Sequence, residues 1–178
     1  MTSTIVRLPA AALVATLAMS AAARAESVVI DAFSLWTAEG SVLQTGPDQT
    51  VFAGAMRGPY IVDAGQGPMP AGEIACIGTI MAETSSGRQH GAAQCRVTAD
   101  DGAVGFARFS CEGLRLVGCA GSFEFTGGEG RLAGIGGGGR IVIRRTEAEL
   151  SIADGVIRET GFGIASWEDL TITMPDAQ

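Results

Sequence analysis

Along the chain from residue 26, apolar and polar side chains alternate over short runs, and turn-forming residues close each run. Phe123 and Phe125 share one face, with Ser122 and Glu124 on the other. In 139–145, Arg140, Val142 and Arg144 interleave with Ile141 and Ile143, and in 170–174 Leu170, Ile172 and Met174 alternate with two threonines. The pattern predicts strands at 27–36, 50–56, 72–83, 91–98, 104–111, 119–125, 139–145 and 170–174, with a short extended piece at 60–63. Gly46-Pro47-Asp48, Ser85-Ser86-Gly87 and Asp100-Asp101-Gly102 read as turns, and Gly58-Pro59 as a strand break. Glu112-Gly113 is a further turn signal, and 65–70 reads as a loop. The stretch 144–157 stays unassigned, with Glu147-Ala-Glu-Leu compatible with a helical turn. Closely spaced strands without intervening helices indicate an all-β, antiparallel sandwich or barrel.

The N-terminus departs from this pattern. Arg7 is followed by an uncharged run to Ala23, and Ala23-Arg24-Ala25 has the small-residue spacing of a cleavage site. Residues 1–25 therefore read as a signal peptide and 26–178 as one domain in the periplasm or outside the cell. An apolar run of this length is shorter than the roughly 20 residues a spanning helix needs, so no membrane span is expected after cleavage.

Net charge is −7, and −9 without Arg7 and Arg24, so a nucleic-acid backbone would be repelled. All 12 basic residues are arginine, which excludes phosphate-loop and Schiff-base lysines. Gly supplies 26 residues, a content that disfavours long helices and suits turns and strand corners.

Four cysteines, Cys76, Cys95, Cys111 and Cys119, fit two disulfides in an exported chain, and they show no C-x-x-C metal spacing. Three pairings are open. Strands consecutive in sequence are usually neighbours, which favours Cys76 with Cys95 and Cys111 with Cys119.

The densest glycine stretch is Phe123-Glu-Phe-Thr-Gly-Gly-Glu-Gly-Arg-Leu-Ala-Gly-Ile-Gly-Gly-Gly-Gly-Arg140. It contains a G-x-G-x-x-G match at 134–139, but a strand pattern follows where a dinucleotide site needs a helix, so no cofactor is expected. The stretch resembles the allene oxide cyclase and dirigent barrel-like proteins, in which F-x-F-x-G-G-x-G-x-F/Y-x-G-x-x-G joins two late strands. Phe123, Phe125, Gly127, Gly128, Gly130, Leu132, Gly134 and Gly137 occupy those places, with Leu132 replacing the usual aromatic residue. The resemblance covers mainly 72–143. It implies an eight-stranded antiparallel barrel in which these glycines are structural, and it assigns no catalytic residue. The family's plant enzymes cyclise a fatty-acid epoxide or orient phenoxy radicals.

Candidate chemistry is sparse. His90, the only histidine, lies in a polar stretch and reads as a solvated loop residue. Asp100 and Asp101 read as a turn, and Glu147 and Glu149 as a second carboxylate pair. Glu73, Arg96, Arg108 and Glu124 are expected to point outward, because an unpaired charge inside a barrel is costly. Three functions are compatible with this inventory. The first is a module that binds a small apolar ligand, the second a cofactor-free cyclase or isomerase of a lipid or phenolic compound, and the third a self-associating envelope protein.

Overall fold

The computed structural model describes residues 26–174; the predicted signal segment lies outside them. Eight antiparallel strands follow one another around a closed barrel. They are β1 (Glu26–Gly46), β2 (Gln49–Asp63), β3 (Met69–Glu83), β4 (Arg88–Ala99), β5 (Val104–Leu114), β6 (Gly118–Glu129), β7 (Gly136–Ala153) and β8 (Val156–Met174). A single 3₁₀ turn, Gly130–Leu132, lies between β6 and β7. The turns β1–β2, β3–β4, β5–β6 and β7–β8 form one end, hereafter the hairpin end. The β2–β3, β4–β5 and β6–β7 connections form the other, the loop end.

All eight predicted strands exist, and most are longer than the alternation indicates. No break occurs at Gly58-Pro59, where β2 runs through and Pro59 pairs with Glu73. Gly58 is required because a Cβ there would collide with the Leu35 backbone carbonyl on β1. Pro59 sits beside a register shift at Tyr60/Ile61, the setting in which a strand interior tolerates a residue lacking an N–H.

The expected turn at Glu112-Gly113 is also strand, the chain reversing instead at 115–117. Glu147-Ala-Glu-Leu is no helical turn. β7 continues to Ala153 and reverses at Asp154 (φ 52°) and Gly155 (φ 76°), two successive positive φ values that a primed hairpin turn demands. His90 lies on β4 rather than in a loop, exposed, with Nδ1 4.0 Å from the Glu112 carboxylate on β5.

The strands tilt. A line of paired residues starting at Leu150 on β7 passes through Glu159, Gly40, Gly54, Gly78, Ala93, Phe109 and Phe123 and returns to β7 at Gly139. Such stagger is the condition for closing a barrel. It also leaves the β7–β8 hairpin overhanging the hairpin end, since β6 pairs with β7 only as far as Arg144.

Alternate residues point inward. At mid-height Trp36, Ala107, Phe123, Ile141, Ala165 and Trp167 fill the barrel together with the Cys76–Cys95 disulfide. Phe123 packs edge-on against Phe125 (5.2 Å between centroids) and Trp167 (5.4 Å). The second disulfide joins Cys111 and Cys119. Both pairs are those expected from strand order. Arg108 and Glu124 point outward and form an exposed 2.8 Å ion pair, while Glu73 and Arg96 are also exposed.

Cys76→Ala/Cys95→Ala opens a loop of sequence separation 19 and is expected to cost about 3 kcal/mol in urea unfolding. Cys111→Ala/Cys119→Ala, with separation 8, is expected to cost about 2.5 kcal/mol, plus in each case any loss from the vacated core volume.

Candidate functional site

The mid-barrel layer divides the interior into two chambers of different chemistry. At the loop end lies an apolar chamber of about 240 Å³. Its wall includes Ile74 of β3, Val97 of β4, Phe123 and Phe125 of β6, and Trp167 and Leu170 of β8. Tyr60 and Arg131 bring the polar atoms. Burial, and then the Asp100 carboxylate, raise the Tyr60 pKa, so at neutral pH the phenol keeps its proton and can donate a hydrogen bond. Trp167 Nε1 is buried without a hydrogen-bond partner in the protein.

The glycine segment builds one wall of this chamber. Gly127, Gly130, Gly134 and Gly137 all have positive φ, where a Cβ is strained, whereas Gly128 is packed against the Leu132 and Val104 backbones. The resulting fold-back places Leu132 and Ile135 in the core and Arg131 at the rim. Asp101, in the β4–β5 turn, accepts a 2.6 Å hydrogen bond from Arg131 Nε and a 3.1 Å bond from the Ala103 N–H. The Arg131 bond first, and the Ala103 amide second, hold the Asp101 pKa below the ordinary carboxylate range.

At the hairpin end lies a smaller chamber of about 80 Å³. Glycines shape its wall by letting aromatic rings pack where side chains would stand. Gly40, Gly54 and Gly78 are paired in a row across β1, β2 and β3, and a Cβ on Gly40 or Gly54 would lie 2.5–2.6 Å from the Phe52 ring. Gly163 likewise leaves room for the Trp36 indole, which is 2.5 Å from where its Cβ would stand. Trp36 lines this chamber, and its Nε1 also has no protein partner.

Deep in the wall of the hairpin end, Glu159 is only 3% exposed. Its two oxygens are taken separately: Arg145 Nη2 donates to Oε1, and Arg115 Nη2 donates to Oε2 at 3.2 Å. Arg115 also donates to Thr50 Oγ1 at 3.0 Å. Arg145 is 14% exposed and Arg115 30%, so two guanidiniums face one carboxylate and one positive charge is left over near the mouth.

Neither chamber could be assembled from sequence motifs. Arg115, Arg145 and Glu159 are far apart in the chain: Arg115 lies in the β5–β6 turn, Arg145 at the end of the predicted 139–145 strand, and Glu159 in the undetected extension of β8, so no shared strand pattern linked them. Among the expected residues, Cys76, Cys111 and Cys119 line the hairpin-end chamber, and the glycine turn closes the loop-end one. His90, Asp100, Glu147 and Glu149 are exposed, and neither chamber is lined by any of them.

No family model matches the chain, and no curated protein matches it. Among solved structures the chain is similar to a pterocarpan synthase dirigent protein, at 8% identity and a TM-score of 0.34, over 90% of this chain and 98% of that one.

Two outcomes follow from this geometry. Glu159→Gln leaves two guanidiniums without their buried counter-charge and is expected to destabilise the fold by about 3 kcal/mol in chemical denaturation. The Asp101–Arg131 bond contributes stability fully above the ordinary carboxylate range and loses it as pH falls through the depressed Asp101 pKa. Amide protection factors over residues 130–135 should therefore drop in that acidic window, and Asp101→Asn should show the drop already at neutral pH.

Proposed function

We propose that this is an exported binding protein whose loop-end chamber holds one small, neutral, largely apolar molecule. The carrying observation is the chamber itself: about 240 Å³ of largely apolar lining, to which Tyr60 and Arg131 bring hydrogen-bond donors. A ligand with one acceptor can take a bond from the Tyr60 hydroxyl. Engineered apolar cavities of about 150 Å³ hold benzene, so this volume suits a bicyclic aromatic or a molecule of similar bulk. The two disulfides fit an oxidising compartment, consistent with periplasmic or secreted residence.

Binding is favoured over cyclisation or isomerisation by the lining. It offers the Tyr60 hydroxyl and the Arg131 guanidinium as donors, and no carboxylate or imidazole to accept a proton.

The test is calorimetric titration with 2-acetylnaphthalene and with 2-ethylnaphthalene, which lacks the acceptor. The ketone should bind about fivefold more tightly, the worth of one net hydrogen bond. Ala71→Phe and Ala99→Phe, each adding a ring to the chamber wall, should abolish binding of both. Absence of binding to the unaltered protein, or equal binding to folded Ala71→Phe and Ala99→Phe, would refute the reading.

A further inference from the structure

The hairpin end shows an imbalance that the loop-end chamber does not explain. Glu159 can neutralise only one of the two arginines that hold it. A guanidinium held partly out of water gains from each opposite charge it meets, and a second anion at this point would balance the pair. Donors for it are in place. Each arginine spends only part of its fork on the protein: Arg145 uses Nη2, and Arg115 uses Nη1 and Nη2, which leaves Nε of both and Nη1 of Arg145 without an acceptor among the described residues. Trp36 lines the same chamber as Arg115 and Arg145 and supplies an apolar face beside them.

The surroundings add a second requirement. Leu150 pairs with Glu159, and Ile152 pairs with Ile157, so these residues share the inward face with Glu159. They belong to the overhanging part of the β7–β8 hairpin, where Leu150 is 60% and Ile152 79% exposed. Apolar side chains on an inward face, left uncovered next to a surplus guanidinium, form a shelf beside a charged throat. A chamber of about 80 Å³ has room for a head group the size of two or three waters, each with a share of about 30 Å³. Anything longer must leave along the shelf.

We propose that the hairpin end is a second binding site, separate from the loop-end chamber, for an amphipathic carboxylate. Its head lies between Arg145 and Arg115, and its unbranched apolar stem lies on Leu150, Ile152 and Ile157. The carboxylate is preferred to an alcohol because the site supplies a net positive charge and several N–H donors. The stem adds affinity by covering the shelf.

The experiment is calorimetric titration of the full domain with butanoate, hexanoate, octanoate and 1-octanol at fixed ionic strength. Affinity should rise up to about fourfold for each methylene laid on the shelf. Octanoate should exceed 1-octanol by at least about tenfold, the scale of a charge-assisted hydrogen bond. Arg115→Gln, at the partly exposed mouth, should remove that preference while the fold persists, and Leu150→Ser/Ile152→Ser should flatten the chain-length dependence without removing the preference. Octanoate should bind equally well when 2-acetylnaphthalene is already present at saturation. Equal affinity for octanoate and 1-octanol would overturn the proposal, as would an octanoate preference unchanged in Arg115→Gln. Competition between octanoate and 2-acetylnaphthalene would place the carboxylate in the loop-end chamber and would equally overturn it.

Discussion

Closing eight tilted strands into a ring fixes how much space the inner faces must fill, and here the filling is concentrated in one layer. Trp36 and Trp167 enter from opposite partners of the β1–β8 seam, and the Cys76–Cys95 disulfide crosses from β3 to β4. Phe123 joins the layer through its edge contact with Trp167. An eight-stranded barrel is just wide enough for side chains to fill it, so a dense middle leaves the two ends to differ. Both chambers exist because that layer holds, and each is lined by one of its two tryptophans.

The ends differ in what their glycines do. At the loop end, large apolar side chains line an opening capped by the glycine turn, whose positive φ values, accessible to glycine without strain, set Leu132 and Ile135 inward. At the hairpin end, absent side chains let neighbours close in. Gly40, Gly54 and Gly78 stand in one cross-strand row, and the Phe52 ring occupies what two of them vacate. Glycine thus serves as turn at one end and as a seat for an aromatic ring at the other, two consequences of the same missing Cβ.

How much of this was legible follows the same division. Alternation located all eight strands, because antiparallel strands with one wet face display their period directly. The disulfide pairing came with strand order. Strand ends were lost wherever a glycine or proline imitated a stop: Gly58 and Gly113 are there to let backbones approach, not to turn the chain. The β7–β8 reversal carried a readable Asp154-Gly155 signal of the same type as Asp101-Gly102, obscured by the polar Glu147-Ala-Glu-Leu run before it. The ion cluster was not legible, since no local pattern links Arg115, Arg145 and Glu159. Only the closed register brings Glu159 opposite Gly40 and within reach of both arginines.

The cluster also runs against the chain's overall charge. A net −7 protein repels anions at long range, so an anion site on it must rely on short contacts that screening scarcely weakens. Placing the surplus guanidinium at a throat, with low-dielectric walls and an apolar shelf, strengthens its hold on a carboxylate. The acidic surface and the half-buried arginines are then compatible. The first discourages multivalent anions and nucleic acids, and the second admits a monoanion whose stem contributes the remaining affinity through burial.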